Sequence, residues 1–190
     1  RKVEGRNFSI RKNVLDFDDV MSQQRMTIYS QRGKVLDGED VSDYVKSMIK
    51  ETIEENVKLY CSDDYPENWN FIGLREHFAN MLTKEDDFNY TTDDLNNISR
   101  KDLVKLLQER ADELYAEREE MFGEENMREI ERICLLKVVD TKWMDHIDAM
   151  EELKRGIYLR SYAQRDPVVE YRIEGFAMFD EMIASIREDT

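Results

Sequence analysis

The sequence is poor in residues that interrupt regular structure and in residues that build covalent or metal-bound frameworks. Its 190 residues include only 7 glycines and 2 prolines, too few turn residues for a sheet-rich fold. The 2 cysteines, Cys61 and Cys134, lie far apart, and neither has a cysteine or histidine at metal-binding spacing. We therefore expect no disulfide framework and no zinc motif, and a reducing compartment is the simpler interpretation.

Long apolar runs and positive charge are also scarce. No run approaches the roughly 20 residues needed to cross a membrane, and no signal peptide is recognisable. Residues 1–33 carry 7 basic and 4 acidic residues (+3), residues 34–98 carry 6 and 16 (−10), and residues 99–190 carry 15 and 23 (−8), for a total of −15. Such a surface repels a phosphate backbone, so we expect no nucleic-acid partner.

The motifs that would carry catalysis are missing as well. There is no GxxxxGK[ST] loop to hold phosphates and no HExxH pair to hold zinc. Neither His77 nor His146 has a glutamate three residues before it, as a di-iron bundle site would need. The acidic group of Asp16, Asp18 and Asp19 is attributed to surface ion pairing. We predict no catalytic residue, no cofactor-binding residue and no metal ligand.

Apolar residues recur at helical spacing over most of the chain, which predicts an all-α fold. Residues 1–32 form one long helix that Gly33 is expected to end. Its seam comprises Val3, Ile10, Val14, Phe17, Met21 and Ile28, with Asn7 and Gln24 as polar members. Phe8, Leu15 and Val20 lie off this seam, so we expect partners on more than one face of the helix.

Residues 34–123 differ in character and predict a small, acidic, inserted helical subdomain. An amphipathic helix covers residues 41–60, a loop covers 61–70, a short helix follows around 71–81, and residues 83–98 form a polar connection. Ser99 and Asp102 resemble a capping box that opens a further helix, and Gly123 interrupts it.

Residues 124–190 predict an antiparallel hairpin of two helices packed with the first helix. The part around 130–139 is apolar almost all round and is expected to be its most buried part. The first apolar stripe is Val139, Trp143, Ile147, Met150, Leu153 and Ile157, and the second is Val169, Ile173, Phe176, Phe179, Ile183 and Ile186. Gly156 weakens the first helix, and Asp166-Pro167 starts the second.

The tip of this hairpin, residues 154–165, reads KRGIYLRSYAQR, with four basic residues and no acidic one. A basic loop can simply be solvated. The concentration of Tyr, Ile and Leu beside arginine is also what an interface favours. The composition leaves both interpretations open.

Three segments carry a resemblance to a known family. VEGRNFSIRKNVLDFDDVMSQQR (residues 3–25), LRSYAQRDPVVEY (159–171) and GFAMFDEMIASI (175–186) closely resemble the C-terminal helical region of SecA. SecA proteins are bacterial ATPase motors that drive preproteins through the SecYEG channel. The resemblance implies that residues 1–33 and 124–190 form a helical scaffold, that residues 34–123 form a helical wing, and that the hairpin is the two-helix finger.

The same resemblance implies functional residues. The finger loop would contact the polypeptide and the channel through Tyr162, with Ile157, Leu159, Arg160 and Arg165 beside it. The long helix would be the spine on which the nucleotide-binding domains rest, which accounts for the apolar side chains of Phe8, Leu15 and Val20.

On this resemblance the chain is a non-catalytic scaffold and regulatory part of the motor, and ATP and magnesium would be bound by domains that precede it. The chain opens on Arg1 without a methionine, so we expect it to be a piece of a longer protein. Its partners would be SecYEG, the translocating preprotein and those nucleotide-binding domains. Its location would be cytoplasmic and peripheral to the bacterial inner membrane. The alternative, from a different class, is a free-standing acidic helical adaptor that binds partner helices.

Overall fold

The computed structural model describes residues 2–159 and 166–190, and helices make up most of them. In chain order they are α1 (Lys2–Leu36), α2 (Ser42–Tyr60), α3 (Phe71–His77), α4 (Thr92–Asn97), α5 (Arg100–Phe122), α6 (Glu124–Leu159) and α7 (Pro167–Asp189). A short 3-10 turn, Pro66–Asn68, precedes α3. Within the described ranges there is an isolated bridge between Ala79 and Thr83 and no strand. The predicted all-α class is confirmed.

The chain divides into two compact units. The scaffold unit comprises the described residues of 1–41 and 132–190, and the wing unit comprises residues 42–131. The sequence analysis set the boundaries along the chain at 33/34 and 123/124, whereas the boundaries of the two units fall at 41/42 and 131/132.

The end of α1 differs from the sequence prediction, because the helix continues through Gly33 to Leu36. Gly38 ends the helix instead, and its φ of 82° is one that residues with a side chain rarely adopt. The amide of Gly38 donates to the carbonyl of Val35 at 3.3 Å, and the amide of Glu39 donates to that of Lys34 at 3.3 Å. This pair of bonds satisfies the last carbonyls of the helix, as glycine-ended helices commonly do.

The wing unit encloses its own apolar core. α2 and α5 supply its centre, and α3 and the loops around it close one side. The buried members are Ile53, Val57, Cys61, Trp69, Leu74, Phe78, Phe88, Leu103, Leu107 and Ala111. Burial raises the pKa of the Cys61 thiol to about 11, so this cysteine is unreactive near neutral pH.

Two predicted helix boundaries in this region are confirmed. Ser99 and Asp102 form a capping box at the start of α5, and Gly123, with a φ of 83°, ends it. A second capping box, formed by Thr91 and Asp94, opens α4 inside the stretch predicted to be a polar connection. The short helix is what the sequence analysis missed there.

The prediction that residues 130–139 are the most buried part of α6 is wrong. Leu135 is 2% exposed, but Ile133 is 56% exposed and the Cys134 thiol is free and exposed. A helix that is apolar all round still buries only the faces that its neighbours cover, and here Ile133 and Cys134 lie on an uncovered one.

Candidate functional site

α6 and α7 form the predicted antiparallel hairpin in the scaffold unit. The side chains of Lys142 and Asp189 form an ion pair at 2.8 Å. Further along α6, the ring of His146 lies 5.7 Å from that of Phe179. Contacts further forward along α6 therefore fall further back along α7, which defines an antiparallel pair.

The start of α7 is built as the sequence predicted. The carboxylate of Asp166 accepts a hydrogen bond from the amide of Val168 at 3.0 Å, and Pro167 occupies the first turn. The end of α6 differs from the sequence prediction, because the helix runs through Gly156 to Leu159. Residues 154–159 are thus helical rather than part of the loop. Ile157 continues the apolar stripe of Leu153 past the glycine, and this burial outweighs the weak helix propensity of one residue.

α1 anchors the hairpin close to its tip through Phe17. This ring is 1% exposed and meets the ring of Tyr171 edge to face, with centroids 4.8 Å apart. It also lies 5.6 Å from the ring of Tyr158, and the ammonium of Lys154 lies 5.8 Å from its centroid. Burial raises the pKa of Tyr171 to about 12, so this phenol stays neutral. The two ends of the loop are therefore tied to one aromatic side chain of α1.

A buried polar junction joins the three helices one turn or more further from the tip. The Nε2–H of His146 donates to the Oε1 of Gln24 at 2.6 Å, because an amide oxygen can only accept. The Nε2 of Gln24 in turn donates to the backbone carbonyl of Gly175 at 3.2 Å. Gln24 and His146 are only 8% and 5% exposed, so each needs the other to be satisfied. The junction therefore fixes the register of α1 against both helices of the hairpin.

Gly175 permits this close approach. A Cβ at this position would lie 2.6 Å from the Cε and 3.2 Å from the Sδ of Met150, which is 1% exposed. α7 thus presents bare backbone to α1 and α6 at the point where its carbonyl accepts the hydrogen bond.

An ion pair holds α1 to α6 at the end away from the tip. The guanidinium of Arg32 donates to both carboxylate oxygens of Asp140, at 2.8 and 3.3 Å. This hydrogen bonding is the main reason that the pKa of Arg32 is raised. Both side chains are more than a third exposed, so the pair positions the helices more than it stabilises them.

The predicted loop residues fall into three groups. Arg160, Tyr162 and Arg165 lie outside the described residues. Leu159 is 80% exposed and remains a candidate contact. Ile157 is 1% exposed, so in this structure its side chain is not available to a partner. It belongs to the cluster around Phe17, because α6 is helical to Leu159 and turns this side chain inward.

The predicted contact residues of α1 divide in the same way. Phe8 is 71% and Leu15 is 68% exposed, as expected for side chains that await a partner. Val20 is 6% exposed, so in this structure its side chain is not available to a partner. It lies in the same cluster as Phe17, on the face that packs against the hairpin. The first part of the predicted seam is not buried, because Val3, Ile10 and Val14 are exposed.

Over its first half, α7 buries a different face from the one predicted. The predicted stripe members Val169, Ile173 and Phe176 are 46%, 65% and 63% exposed. The buried side of the helix instead comprises Val168, Tyr171, Gly175, Met182 and Ile186. Apolar residues cover a wide arc of α7, so either of two overlapping faces could be buried. The close approach at Gly175 favours the face that contains the glycine. The first three members of the predicted stripe therefore form an exposed apolar face, whereas Phe179 and Ile183 are half-buried and Ile186 is buried.

Sequence reasoning missed the polar junction, although a signal for it was present. Gln24 follows Phe17 and Met21 and precedes Ile28 at helical spacing. A polar residue inside an apolar seam indicates a buried hydrogen bond, but its partner His146 lies 122 residues away.

No group of three or more His, Cys, Asp or Glu side chains is placed to hold a metal ion in residues 2–159 and 166–190. In the same ranges, every helix is too short or too polar to span a bilayer. What this site offers is a braced hairpin and two exposed apolar faces.

Comparison with known proteins identifies the family to which the chain is similar. Residues 1–190 match the family described as "SecA Wing and Scaffold domain". Protein translocase subunit SecA of Carboxydothermus hydrogenoformans is 50% identical over 190 residues, covering 100% of this chain and 22% of the relative. The SecA subunit of Desulforudis audaxviator is 47% identical over 199 residues, covering 100% and 22%. SecA 1 of Alkaliphilus metalliredigens is 48% identical over 191 residues, covering 100% and 21%. The chain thus spans about a fifth of the length of these relatives.

Proposed function

The chain belongs to the SecA wing and scaffold domain family, and on that basis we propose that it is the non-catalytic scaffold and regulatory part of a protein-translocating motor. In this proposal, nucleotide-binding domains of the same parent protein bind ATP and magnesium, and the chain itself neither binds nor hydrolyses ATP. The relatives described above are named protein translocase subunits, which supports a role in protein translocation.

The observation that carries the proposal is the exposed apolar surface of the scaffold unit. On α1, Phe8 and Leu15 share a face with Met26, which is 72% exposed. On α7, Ile173 and Phe176 form a second exposed face. Apolar faces of this kind are characteristic of a surface that another domain covers. We assign the α1 face to the nucleotide-binding domains.

The finger loop supplies the other half of the proposal. Its two ends are held by Phe17 through Tyr158 and Tyr171, so a load on the loop is transmitted to α1 and to whatever rests on it. Tyr162, with Leu159, Arg160 and Arg165, would contact the preprotein and the SecYEG channel. The parent protein would then work in the cytoplasm, peripherally bound to the inner membrane.

Recombination of the parts tests the proposal. A core of the parent protein truncated before this chain is mixed with the 190-residue chain, and ATP turnover and binding are measured. We expect the chain alone to hydrolyse no ATP, to bind the core, and to change its turnover. The double variant Phe8→Asp, Leu15→Asp should bind at least about tenfold more weakly, because two buried contacts each lose one or more kcal/mol.

The matched control is Leu59→Asp, which places the same charge on an exposed leucine (67%) of the wing unit. This variant should bind as the original chain does. Equal weakening by both changes would show that net charge, not the α1 face, decides binding. A parent reading frame without a nucleotide-binding loop would favour the free-standing adaptor instead.

A further inference from the structure

The wing unit contains a groove between α2 and α5 that its acidic composition does not predict. The groove encloses about 720 Å³. Its floor is apolar, with Val57 and the partly buried Val104 at its centre. The remaining lining residues are Glu54, Lys58, Ser62, Arg100, Lys101, Lys105, Gln108 and Glu109.

Charge in the groove is opposite to charge on the unit. Residues 42–131 contain 11 Lys and Arg against 24 Asp and Glu, a net charge of −13. Four of those basic residues line the groove, with only two of the acidic ones. A basic patch concentrated in an acidic unit indicates an acidic partner, because the rest of the surface repels one.

The basic charges lie towards one end. α2 and α5 run antiparallel, since the Nε of Arg100 donates to the carbonyl of Cys61 at 2.5 Å while Lys46 lies 5.1 Å from the ring of Tyr115. Arg100 and Lys101 therefore mark one end of the groove, and Glu54 and Glu109 mark the other. The groove has an electrostatic direction as well as an apolar floor.

The basic side chains of the groove are held in two different ways. The guanidinium of Arg100 also donates to the carbonyl of Asp63 at 2.6 Å and lies 5.3 Å from the Trp69 ring, so it is fixed before any partner arrives. Lys58 and Lys101 are exposed and form no ion pair with any described residue. Fixed and unpaired cations together suit carboxylates.

The groove wall also holds an unpaired acceptor. The Nε2 of Gln108 donates to the carboxylate of Asp112 at 2.9 Å, while its buried Oε1 has no hydrogen-bond donor. The apolar floor and the cations are the properties of the groove that suit a peptide.

We propose that this groove binds a short amphipathic helix of a partner protein, with acidic side chains near the C-terminal end of that helix. The apolar side would lie on Val57 and Val104. The carboxylates and the negative end of the helix dipole would lie at Arg100 and Lys101. The positive N-terminal end would lie near Glu54 and Glu109. This inference goes beyond the scaffold function, because it concerns the wing unit alone.

Three synthetic peptides test the proposal by fluorescence anisotropy with the full 190-residue chain. Each has about 14 residues and an apolar stripe of leucines, a helix of roughly 20 Å. The first carries its glutamates at the C-terminal end, the second carries the same glutamates at the N-terminal end, and the third has lysine in their place. We expect the first to bind at least about tenfold more tightly than the second, and the third not to bind.

The double variant Lys58→Glu, Lys101→Glu should weaken binding of the first peptide by at least about tenfold. Glutamate at position 101 suits the first turn of α5, so the fold should tolerate it. The matched control, Lys50→Glu, makes the same kind of charge change on α2 outside the groove and should change the affinity by less than about twofold. The milder pair Lys58→Gln, Lys101→Gln gives an intermediate result if both variants remain folded by circular dichroism.

Equal affinity for the first two peptides would overturn the proposed direction, and equal weakening by Lys50→Glu would overturn the site. The same variants are also tested with phosphatidylglycerol vesicles and heparin. Binding of either that depends on Lys58 and Lys101, without binding of any peptide, would replace the peptide with an anionic lipid or polyanion. Binding of no probe would overturn the proposal.

Discussion

The wing and scaffold units are both helical but differ in how much apolar surface they leave exposed. Of the 23 large hydrophobic side chains that are exposed among the described residues, 15 lie in the scaffold unit and 8 in the wing unit. In the scaffold unit several of them share a helical face, as Phe8 and Leu15 do on α1. The wing unit is closed around its core, whereas the scaffold unit leaves apolar helix faces exposed.

Polar contacts differ in the same sense. In the wing unit they close loops on the core: the guanidinium of Arg110 donates to both carboxylate oxygens of Asp87, at 2.6 and 2.9 Å, and to the carbonyl of Leu82 at 2.8 Å. In the scaffold unit the buried junction of Gln24, His146 and Gly175 fixes helices against each other. The first arrangement makes a unit self-sufficient, and the second makes a frame rigid while its outer faces stay open.

The sharpest way to break this comparison is to unfold one unit and not the other. Phe17→Ala removes a ring that is 1% exposed from the scaffold unit and should lower its free energy of unfolding by about 3–5 kcal/mol. Leu107→Ala, at a side chain that is fully buried in the wing unit, should cost that unit about 2–5 kcal/mol. Each change should leave the other unit nearly unaffected, because each unit encloses an apolar cluster of its own.

The chain provides its own reporters for this measurement. It has 2 tryptophans, and Trp69 lies in the wing core while Trp143, 5% exposed, lies in the scaffold unit. Urea unfolding is followed by fluorescence in Trp143→Phe and Trp69→Phe backgrounds, each with one tryptophan left. If Phe17→Ala shifts both transitions equally, the two units unfold as one and the comparison fails.

These contrasts were only partly visible in the sequence. Local signals were read correctly: the capping box at Ser99, the stop at Gly123, the start at Asp166 and the buried Trp143 all depend on a few neighbouring residues. Gly33 misled because a glycine permits a helix end without requiring one, and the following residues continued the helix.

Features that depend on partner helices were not predicted. Ile157 and Val20 were assigned to contact surfaces but are buried, and the first half of α7 was assigned the wrong buried face. In each case several apolar residues compete, and the shape of the facing helix decides. The contact between Gly175 and Met150 could not be inferred from either residue alone. The candidate contacts Phe8 and Leu15 are exposed, but the assignment of their partner rests on family membership.

A second prediction tests whether the close helix approach holds the scaffold frame together. Gly175→Ala places a methyl 2.6 Å from the Cε of the buried Met150, and it should destabilise the scaffold unit by about 1–2 kcal/mol despite the better helix propensity of alanine. Gly33→Ala is the matched control, since a Cβ there meets nothing within 4 Å and should stabilise α1 by up to about 1 kcal/mol.

The double variant Met150→Ala, Gly175→Ala makes this test specific. Removal of the methionine should abolish the extra cost of the alanine, which appears as coupling in a double-mutant cycle. Additive effects would show that the cost of Gly175→Ala arises somewhere other than this contact.

The third prediction separates the two units by pH. Burial lowers the pKa of His146 below its usual 6.5, so the unfolded chain takes up a proton before the folded one does. The stability of the scaffold unit is therefore complete above pH 6.5. It falls as the pH drops, by up to about 1.4 kcal/mol per pH unit, until the folded imidazole also titrates.

The wing unit should not respond in that window. Hydrogen bonding from Arg110 lowers the pKa of Asp87 below 3.8, so its contribution persists above that pH and is lost only in stronger acid. Urea midpoints from pH 7.5 to 4.5 in the two single-tryptophan backgrounds measure both units. His146→Gln should flatten the scaffold profile in this range. An unchanged profile in that variant would assign the acid sensitivity to other groups.

The smallest effect on stability is expected at the loop, where function should change most. Tyr162 follows the last residue of α6 by three positions and precedes the cap of α7, and the cluster around Phe17 is complete among the described residues without it. Tyr162→Ala should therefore change the melting temperature of the parent protein hardly at all, within the roughly 0.5 kcal/mol typical of surface changes. A tyrosine offers a broad apolar ring and one hydroxyl, which suits contact with polypeptides of many sequences. Translocation of a preprotein into SecYEG vesicles by the same variant should be severely reduced.

Tyr158→Ala is the matched comparison, because it removes a tyrosine that packs on Phe17 and should lower the melting temperature instead. A large fall in melting temperature for Tyr162→Ala would identify a core residue, and normal translocation would remove its proposed role.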